Sequence, residues 1–151
     1  AEDYGQPMLY SSYAFRSRDA GPYETVKGVG PIDCSGVSAP KDDYKADEWI
    51  CQHRWQSTIN MIRFRDQASA APVVEKYRER GVYGFARDGV GYFITNVFDN
   101  QEMSVSVPTT LPDGEYVNLI DGEMHEVVGG ELTATLPPMS AIALLVSESA
   151  D

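Results

Sequence analysis

Cationic side chains are scarce in this sequence. Lys and Arg total 12 against 23 Asp and Glu, for a formal net charge of −11. A nucleic-acid binder needs a basic patch to neutralise phosphate, and these cations are scattered among acids, so no nucleic-acid partner is expected. The same imbalance argues against an anionic membrane surface. Long apolar runs are missing too: Ala141–Val146 is strand-length, far short of the roughly 20 residues of a membrane span. The polar stretch from Ala1 does not read as a signal peptide, so any export signal is expected to have been removed or to lie outside the sequence given.

Cysteine and histidine are equally sparse, two of each. Cys34 and Cys51 show no CxxC spacing and have only His53 nearby, so zinc is not expected. Two readings of the pair stay open. Under reducing conditions they are two thiols; in an exported protein they form one disulfide, contributing about 3 kcal/mol by loop closure. Ser11-Ser12 lies in no GxSxG elbow, which leaves a serine hydrolase unsupported. GVGP and GVGY do not match a phosphate-binding loop. Asp42-Asp43 and Asp47-Glu48 are pairs that bind calcium weakly at best, since the spacing of an EF-hand loop is missing and a solvated acidic loop accounts for them.

What is present is a globular composition, with 42% hydrophobic and 11% aromatic residues in 151. MLYSSY, Met8–Tyr13, reads as a strand. Residues 14–46 are irregular, punctuated by GP, GVGP, CSG and AP, and read as a surface excursion tied down at Cys34. A helix is expected from Asp47 to Ala68, with Asp47 and Glu48 at its start and a broad apolar face of Cys51, Trp55, Ile59 and Ile62 flanked by Thr58, Met61 and Phe64. From Val82 the period changes to two. Seven short strands follow, at Tyr83–Ala86, Val90–Phe98, Met103–Val107, Tyr116–Ile120, Met124–Val128, Leu132–Leu136 and Ile142–Val146. Turn signals such as Asp88-Gly89, Asp121-Gly122 and Gly129-Gly130 separate them, which indicates an antiparallel sandwich.

Few side chains in these elements point to chemistry on their own. On a helix His53 lies about 200° round from Cys51, so the two do not converge on one metal, and a hydrogen bond to a neighbouring element is the better account. His125, beside Glu126 in a strand, reads as a solvated strand residue. Tyr83, Tyr92 and Tyr116 are aromatics of the type that stacks on sugar rings, with core or cross-strand packing as the default.

Taken in order, the segments Tyr4–Phe15, Asp19–Pro22 and WICQHRWQSTINMIRFRD (Trp49–Asp66) resemble the end of the catalytic barrel in secreted α-amylases of the animal and actinobacterial type. The matching residues are Tyr4-Gly5, Ser11-Ser12-Tyr13, Trp49, Cys51-Gln52-His53-Arg54-Trp55, Asn60-Met61 and Phe64-Arg65. GFARDGVGYFITN (Gly84–Asn96) and LPDGEYVNLIDGE (Leu111–Glu123) resemble that family's C-terminal domain. The resemblance implies a mixed fold: the last β/α unit of a (β/α)8 barrel over residues 1–75, then a Greek-key-like antiparallel all-β sandwich over 76–151. It makes Cys34–Cys51 a family disulfide, Trp55 a packing residue, and His53 and Arg54 fasteners.

The function implied is starch and glycogen degradation by a retaining, endo-acting α-1,4-glucan hydrolase. Such enzymes use an aspartate nucleophile and a glutamate acid/base. The family places these, and its main calcium ligands, on barrel strands that precede the residues matched here. No catalytic residue, cofactor or metal ligand is therefore expected within this chain, calcium is expected in the complete enzyme, and the chain alone is expected to be inactive. Several members hold chloride with an Arg or Lys where this chain has Met8, so chloride is not expected. The implied partners are the N-terminal barrel portion and, through the complete enzyme, an α-glucan; the implied location is extracellular. The alternative is a non-catalytic α-glucan-binding or interaction module.

Overall fold

The computed structural model describes residues 11–15, 17, 33–45 and 48–146. The chain divides into two compact units, the first ending at Ile59 and the second running from Asn60.

In the first unit, β1 (Tyr13–Ala14) pairs antiparallel with β2 (Glu48–Trp49). Tyr13 packs edge-on against Trp49 at 5.0 Å between ring centroids. Ser12 Oγ accepts from the Gln52 side-chain amide at 2.6 Å, and Ser12 N donates to Gln52 Oε1 at 2.8 Å. Cys51 N donates to Ser11 Oγ at 3.0 Å, and the buried Cys51 is joined to Cys34 by a disulfide.

This pairing corrects the expected helix. Glu48 and Trp49 are extended, and Cys51 sits in the left-handed region at φ 55°. A short 3-10 turn follows at Gln52–Arg54, and Trp55 is again extended. Helix α1 therefore runs only over Gln56–Ala68. The apolar period is continuous through this segment, but backbone pairing with β1 and the cross-link at Cys51 override it. Met8–Tyr10, the first half of the expected strand, lie outside the described residues.

The second unit is built on eight strands. One sheet has the order β10–β5–β4–β3, from β3 (Val73–Glu79), β4 (Val82–Arg87), β5 (Gly91–Asn96) and β10 (Ala141–Leu145). The other has the order β6–β9–β8–β7, from β6 (Met103–Pro108), β7 (Gly114–Val117), β8 (Met124–Val128) and β9 (Glu131–Leu136). All pairs are antiparallel. In the second sheet β7, β8 and β9 are successive hairpins and β6 lies beside β9, which is a Greek key. Two-residue loops Arg80-Gly81 and Gly129-Gly130, with positive φ at both positions, match the twist of the strands they join.

Strand β3 is absent from the sequence reading. VVEKYRE alternates imperfectly because a bulge shifts its register between Val74 and Tyr77, with Glu75 at φ 46°. It is also an edge strand, and its Glu75, Lys76, Arg78 and Glu79 keep that edge charged.

Two cores sit on opposite faces of the first sheet. Between the sheets, Val82, Ala86, Tyr92 and Ile94 meet Val107, Val127, Leu132 and Leu136. On the outer face, Phe64 and Ala68 of α1 pack on Phe85 and Ala143, flanked by Phe93, Leu119 and Leu145. The second unit is thus helix on sheet on sheet. A sheet covered on both faces explains the unbroken apolar run of β10, where Ile142 and Leu144 face one core and Ala143 the other. Gly91 permits the helix to approach: a Cβ there would lie 2.9 Å from Phe64 Cε2 and 3.2 Å from the Leu144 carbonyl oxygen.

Candidate functional site

Helix α1 carries apolar residues on more than the side that meets the sheet. Phe64 and Ala68 are buried against β4 and β10, whereas Ile59 and Ile62 are 44% and 46% exposed. Of the broad face expected, the flanking Met61 and Phe64 pack on the sheet and Cys51 is buried, whereas Ile59 and Ile62 stay exposed. Phe64 and Ala68 are offset from Ile62 by two and six positions, roughly 200° and 240° round the helix, so they define a separate face. Asn60 fixes the helix beside the sandwich by donating from Nδ2 to the Leu119 carbonyl at 2.8 Å.

The outer face of the first sheet also carries a groove of about 400 Å³. It is bounded by Lys76 and Arg78 of β3, Tyr83, Gly84 and Phe85 of β4, and Phe93 of β5. Arg78 and Tyr83 are direct cross-strand neighbours, and the guanidinium carbon lies 5.8 Å from the centre of the phenol ring. Phe85 and Phe93 are likewise paired, with ring centroids 5.8 Å apart. Tyr83 is 40% exposed.

The other sequence candidates are placed as follows. Tyr92 is completely buried in the inter-sheet core, which removes it as a stacking surface. Burial pushes its phenol well above the ordinary tyrosine range, and its hydroxyl finds no hydrogen-bond partner. Tyr116 is half-buried against the same core and donates to the Pro112 carbonyl at 2.7 Å, so it is structural too. His125 is not a solvated strand residue. It lies opposite Tyr116 on the inward side of β8, half-buried, with Nε2 enclosed and unpartnered. His53 and Arg54 are exposed on the 3-10 turn, and Trp55 is half-buried with its indole N–H enclosed and unpartnered. Asp42 and Asp43 are exposed, and Asp47 and Met8 lie outside the described residues. Among the described residues no group of three or more His, Cys, Asp or Glu is placed to hold a metal ion. No helix among them is long and apolar enough to cross a membrane.

Two asparagines, Asn96 and Asn118, are buried and fully engaged. Asn96 Nδ2 donates to the carbonyls of Gln101, Leu136 and Pro137 and its Oδ1 accepts from Phe98 N, tying β5 to the end of β9 in the other sheet. Asn118 Nδ2 donates to the Ala141 carbonyl, and its Oδ1 accepts from Ile120 N and Ala143 N. Each accepts one local bond from the backbone N–H two residues on, but the other side-chain partners lie up to 41 residues away and leave no mark in TNV or VNL.

Three comparisons with known proteins agree. The family model for the bacterial α-amylase C-terminal domain matches residues 87–140. An α-amylase of Thermomonospora curvata is 32% identical over 97% of this chain, which spans 24% of that protein. Pancreatic α-amylase of Homo sapiens is 28% identical over 82% of this chain and 25% of its own length. Among solved structures, a mutant of α-amylase I from Eisenia fetida in complex with maltohexaose superposes with a TM-score of 0.71 at 29% identity. That superposition covers 98% of this chain and 34% of the Eisenia chain. The chain therefore spans about a quarter of the length of the curated relatives.

Proposed function

We propose that this chain, which is the C-terminal part of an α-amylase, a glycoside hydrolase, supplies the last β/α unit and the sandwich of a retaining, endo-acting α-1,4-glucan hydrolase that degrades starch. The nucleophile and the acid/base are upstream of the segment matched here. The observation that carries this reading is the two-sided apolar helix. One face of α1 is satisfied by the sandwich, and the other holds Ile59 and Ile62 in water. A helix apolar on more than one side belongs between two layers, and the relatives are about four times longer than this chain. The missing layer is the N-terminal portion of the same enzyme. The Cys34–Cys51 cross-link suits an oxidising, extracellular location.

The described residues do not fit a calcium site, and no step is assigned to one. Met8 carries a thioether where chloride-binding relatives carry a cation, so the complete enzyme is chloride-independent. Titrating chloride into dialysed full-length enzyme is expected to leave its rate unchanged; strong activation overturns that assignment.

The test of the main reading is starch hydrolysis by the pure 151-residue chain and by the full-length enzyme. The chain is expected to show no turnover and the full-length enzyme to be active. Ile62→Glu in the full-length enzyme is expected to impair assembly and activity while leaving the melting of the isolated chain unchanged. Turnover by the chain alone, or full activity of the Ile62→Glu enzyme, overturns the reading.

A further inference from the structure

Sequence and backbone diverge most over Glu48–Trp55, where a helical pattern carries a non-helical chain. We propose that the Cys34–Cys51 bond selects between two backbones for this segment. With the disulfide closed it is a strand and a 3-10 turn; with both cysteines as thiols it is an N-terminal extension of α1.

The closed form carries costs that something must impose. Cys51 stands at φ 55° and ψ 40°, and Trp55 at φ −62° and ψ 135°, while Gln52–Arg54 between them already turn right-handed. A left-handed conformation is costly for a residue with a Cβ and persists only where the surroundings over-determine it. The Trp55 indole N–H is enclosed without a partner, which is a second cost of this backbone. Cys51 is completely buried and bonded to Cys34. Just beyond Cys34, the Ser38 carbonyl accepts from Gln56 N at 2.7 Å and so takes the N–H through which α1 would continue backward. The strand pairing that competes with the helix involves only Tyr13–Trp49 and Ala14–Glu48. The cross-link is thus the strongest restraint on the segment.

Opening the bond sacrifices little backbone hydrogen bonding. With the bond closed, Arg54 N donates to the Cys51 carbonyl at 2.8 Å and Trp55 N to the Gln52 carbonyl at 3.1 Å, the tight pattern of a 3-10 turn. Rotating Cys51 and Trp55 into the right-handed region passes these donors to the carbonyls of Ile50 and Cys51, and gives Gln56 N the Gln52 carbonyl. The contacts surrendered are those of Ile50 N and Cys51 N with Ser12 O and Ser11 Oγ, and the Ser12–Gln52 pair. Extension needs no new nucleus, because α1 already exists and each further residue adds a bond. No Gly or Pro interrupts Glu48–Trp55, and Asp47 precedes it as a capping residue.

The exchange balances sulfur for sulfur. A thiolate of a dithiol attacks Sγ of the half-buried Cys34, and Cys51 Sγ leaves. The second sulfur of the dithiol then displaces Cys34, so the reagent becomes a disulfide and its two protons end on the two cysteines. Closing runs in reverse, with the disulfide of an oxidoreductase accepting the electron pair. A newly made, reduced chain therefore has the longer helix, and oxidation shortens it and creates the strand that pairs with Tyr13–Ala14.

Backbone Cα chemical shifts of the isotope-labelled chain, read oxidised and then in excess dithiothreitol, test the switch. Shifts at Trp49 and Trp55 are expected to lie upfield of random coil in the oxidised chain. In the dithiol chain they are expected to move downfield, as part of an unbroken helical run from Trp49 into α1. The double variant Cys34→Ala, Cys51→Ala is expected to show the same helical run without reductant. Shifts at Ile94 and Leu132 report in each sample whether the sandwich is folded. A dithiol or doubly substituted chain whose Glu48–Trp55 shifts stay as in the oxidised chain, or become random coil, overturns the proposal. Loss of the sandwich along with the bond overturns it too, since the cross-link would then hold the fold and not choose a backbone. The switch is independent of the α-amylase reading, which fails through starch hydrolysis and would leave these shifts as expected.

Discussion

At the scale of the residue, polar groups with and without partners behave oppositely. Tyr92 is fully buried and its hydroxyl is unpartnered, so Tyr92→Phe orphans nothing. The expected change in unfolding free energy at pH 7 is within about 1 kcal/mol of zero, and a loss beyond about 2 kcal/mol would reveal a hidden partner. The same pair reports on pH. Because burial raises the folded-state pKa of Tyr92, its stabilisation is complete below the unfolded value near 10 and is lost as pH rises toward the folded value. Urea midpoints measured from about pH 8 to 11 should therefore fall more steeply for the wild type than for Tyr92→Phe. Asp113 works in the other direction. Its carboxylate accepts from Gly130 N at 2.9 Å and Gly129 N at 2.8 Å, clamping the β8–β9 loop, and these bonds hold its pKa below the ordinary aspartate value. That contribution is present above about pH 3.9 and is lost as pH falls through the depressed folded value. Between about pH 5 and 2 the wild type should lose more stability than Asp113→Ala, and parallel pH profiles would show the clamp to be inert. Asn118 has three hydrogen bonds to backbone groups, so Asn118→Ala leaves buried partners unsatisfied and is expected to cost roughly 2–4 kcal/mol in denaturant unfolding.

At the scale of the element, the closest approach is α1 on the first sheet at Gly91. A methyl group there meets a core aromatic ring on one side and a strand carbonyl on the other, and neither yields easily. Gly91→Ala is expected to destabilise the sandwich by about 1–3 kcal/mol, read as a lower urea midpoint; no change would mean that the helix is free to lift. The same elements show what the sequence displays and what it hides. Met103–Val107 and Leu132–Leu136 alternate strictly, with one side buried and one exposed, and all seven strands expected from that pattern exist within a few residues of their expected ends. Gly129-Gly130 is legible as a hairpin because the turn itself demands positive φ. The pattern fails where a distant partner decides the backbone. Glu48–Trp49 have helical surroundings in the sequence, but pairing with the distant Tyr13–Ala14 makes them a strand. Strand β3 is hidden by its bulge, and the register that places Arg78 against Tyr83 is a property of that bulge. Tyr83 and Tyr92 look alike in the sequence. Their parity in adjacent strands sends one to the wet face and the other to the core, and that assignment depends on which face the helix covers.

At the scale of the whole molecule, the exposed isoleucines compete with charge. Ile59 and Ile62 sit three residues apart on one helix, each close to half exposed, so α1 offers the start of an apolar interface. A formal net charge of −11 opposes the approach of a second copy, and that repulsion is screened within about 8 Å at physiological ionic strength. Salt should therefore promote association, because it weakens the repulsion while leaving the apolar contact in place. Sedimentation velocity is expected to show a concentration-dependent increase in mass that grows from about 0.05 M to 0.5 M salt. The double variant Ile59→Gln, Ile62→Gln is expected to stay monomeric across that range while keeping the melting profile of the wild type. A surface held together by ion pairs would respond with the opposite sign, dissociating as salt rises. A wild-type chain that remains monodisperse at every salt concentration would show that these two isoleucines are not an interface, and would remove the observation on which assembly with the upstream portion rests.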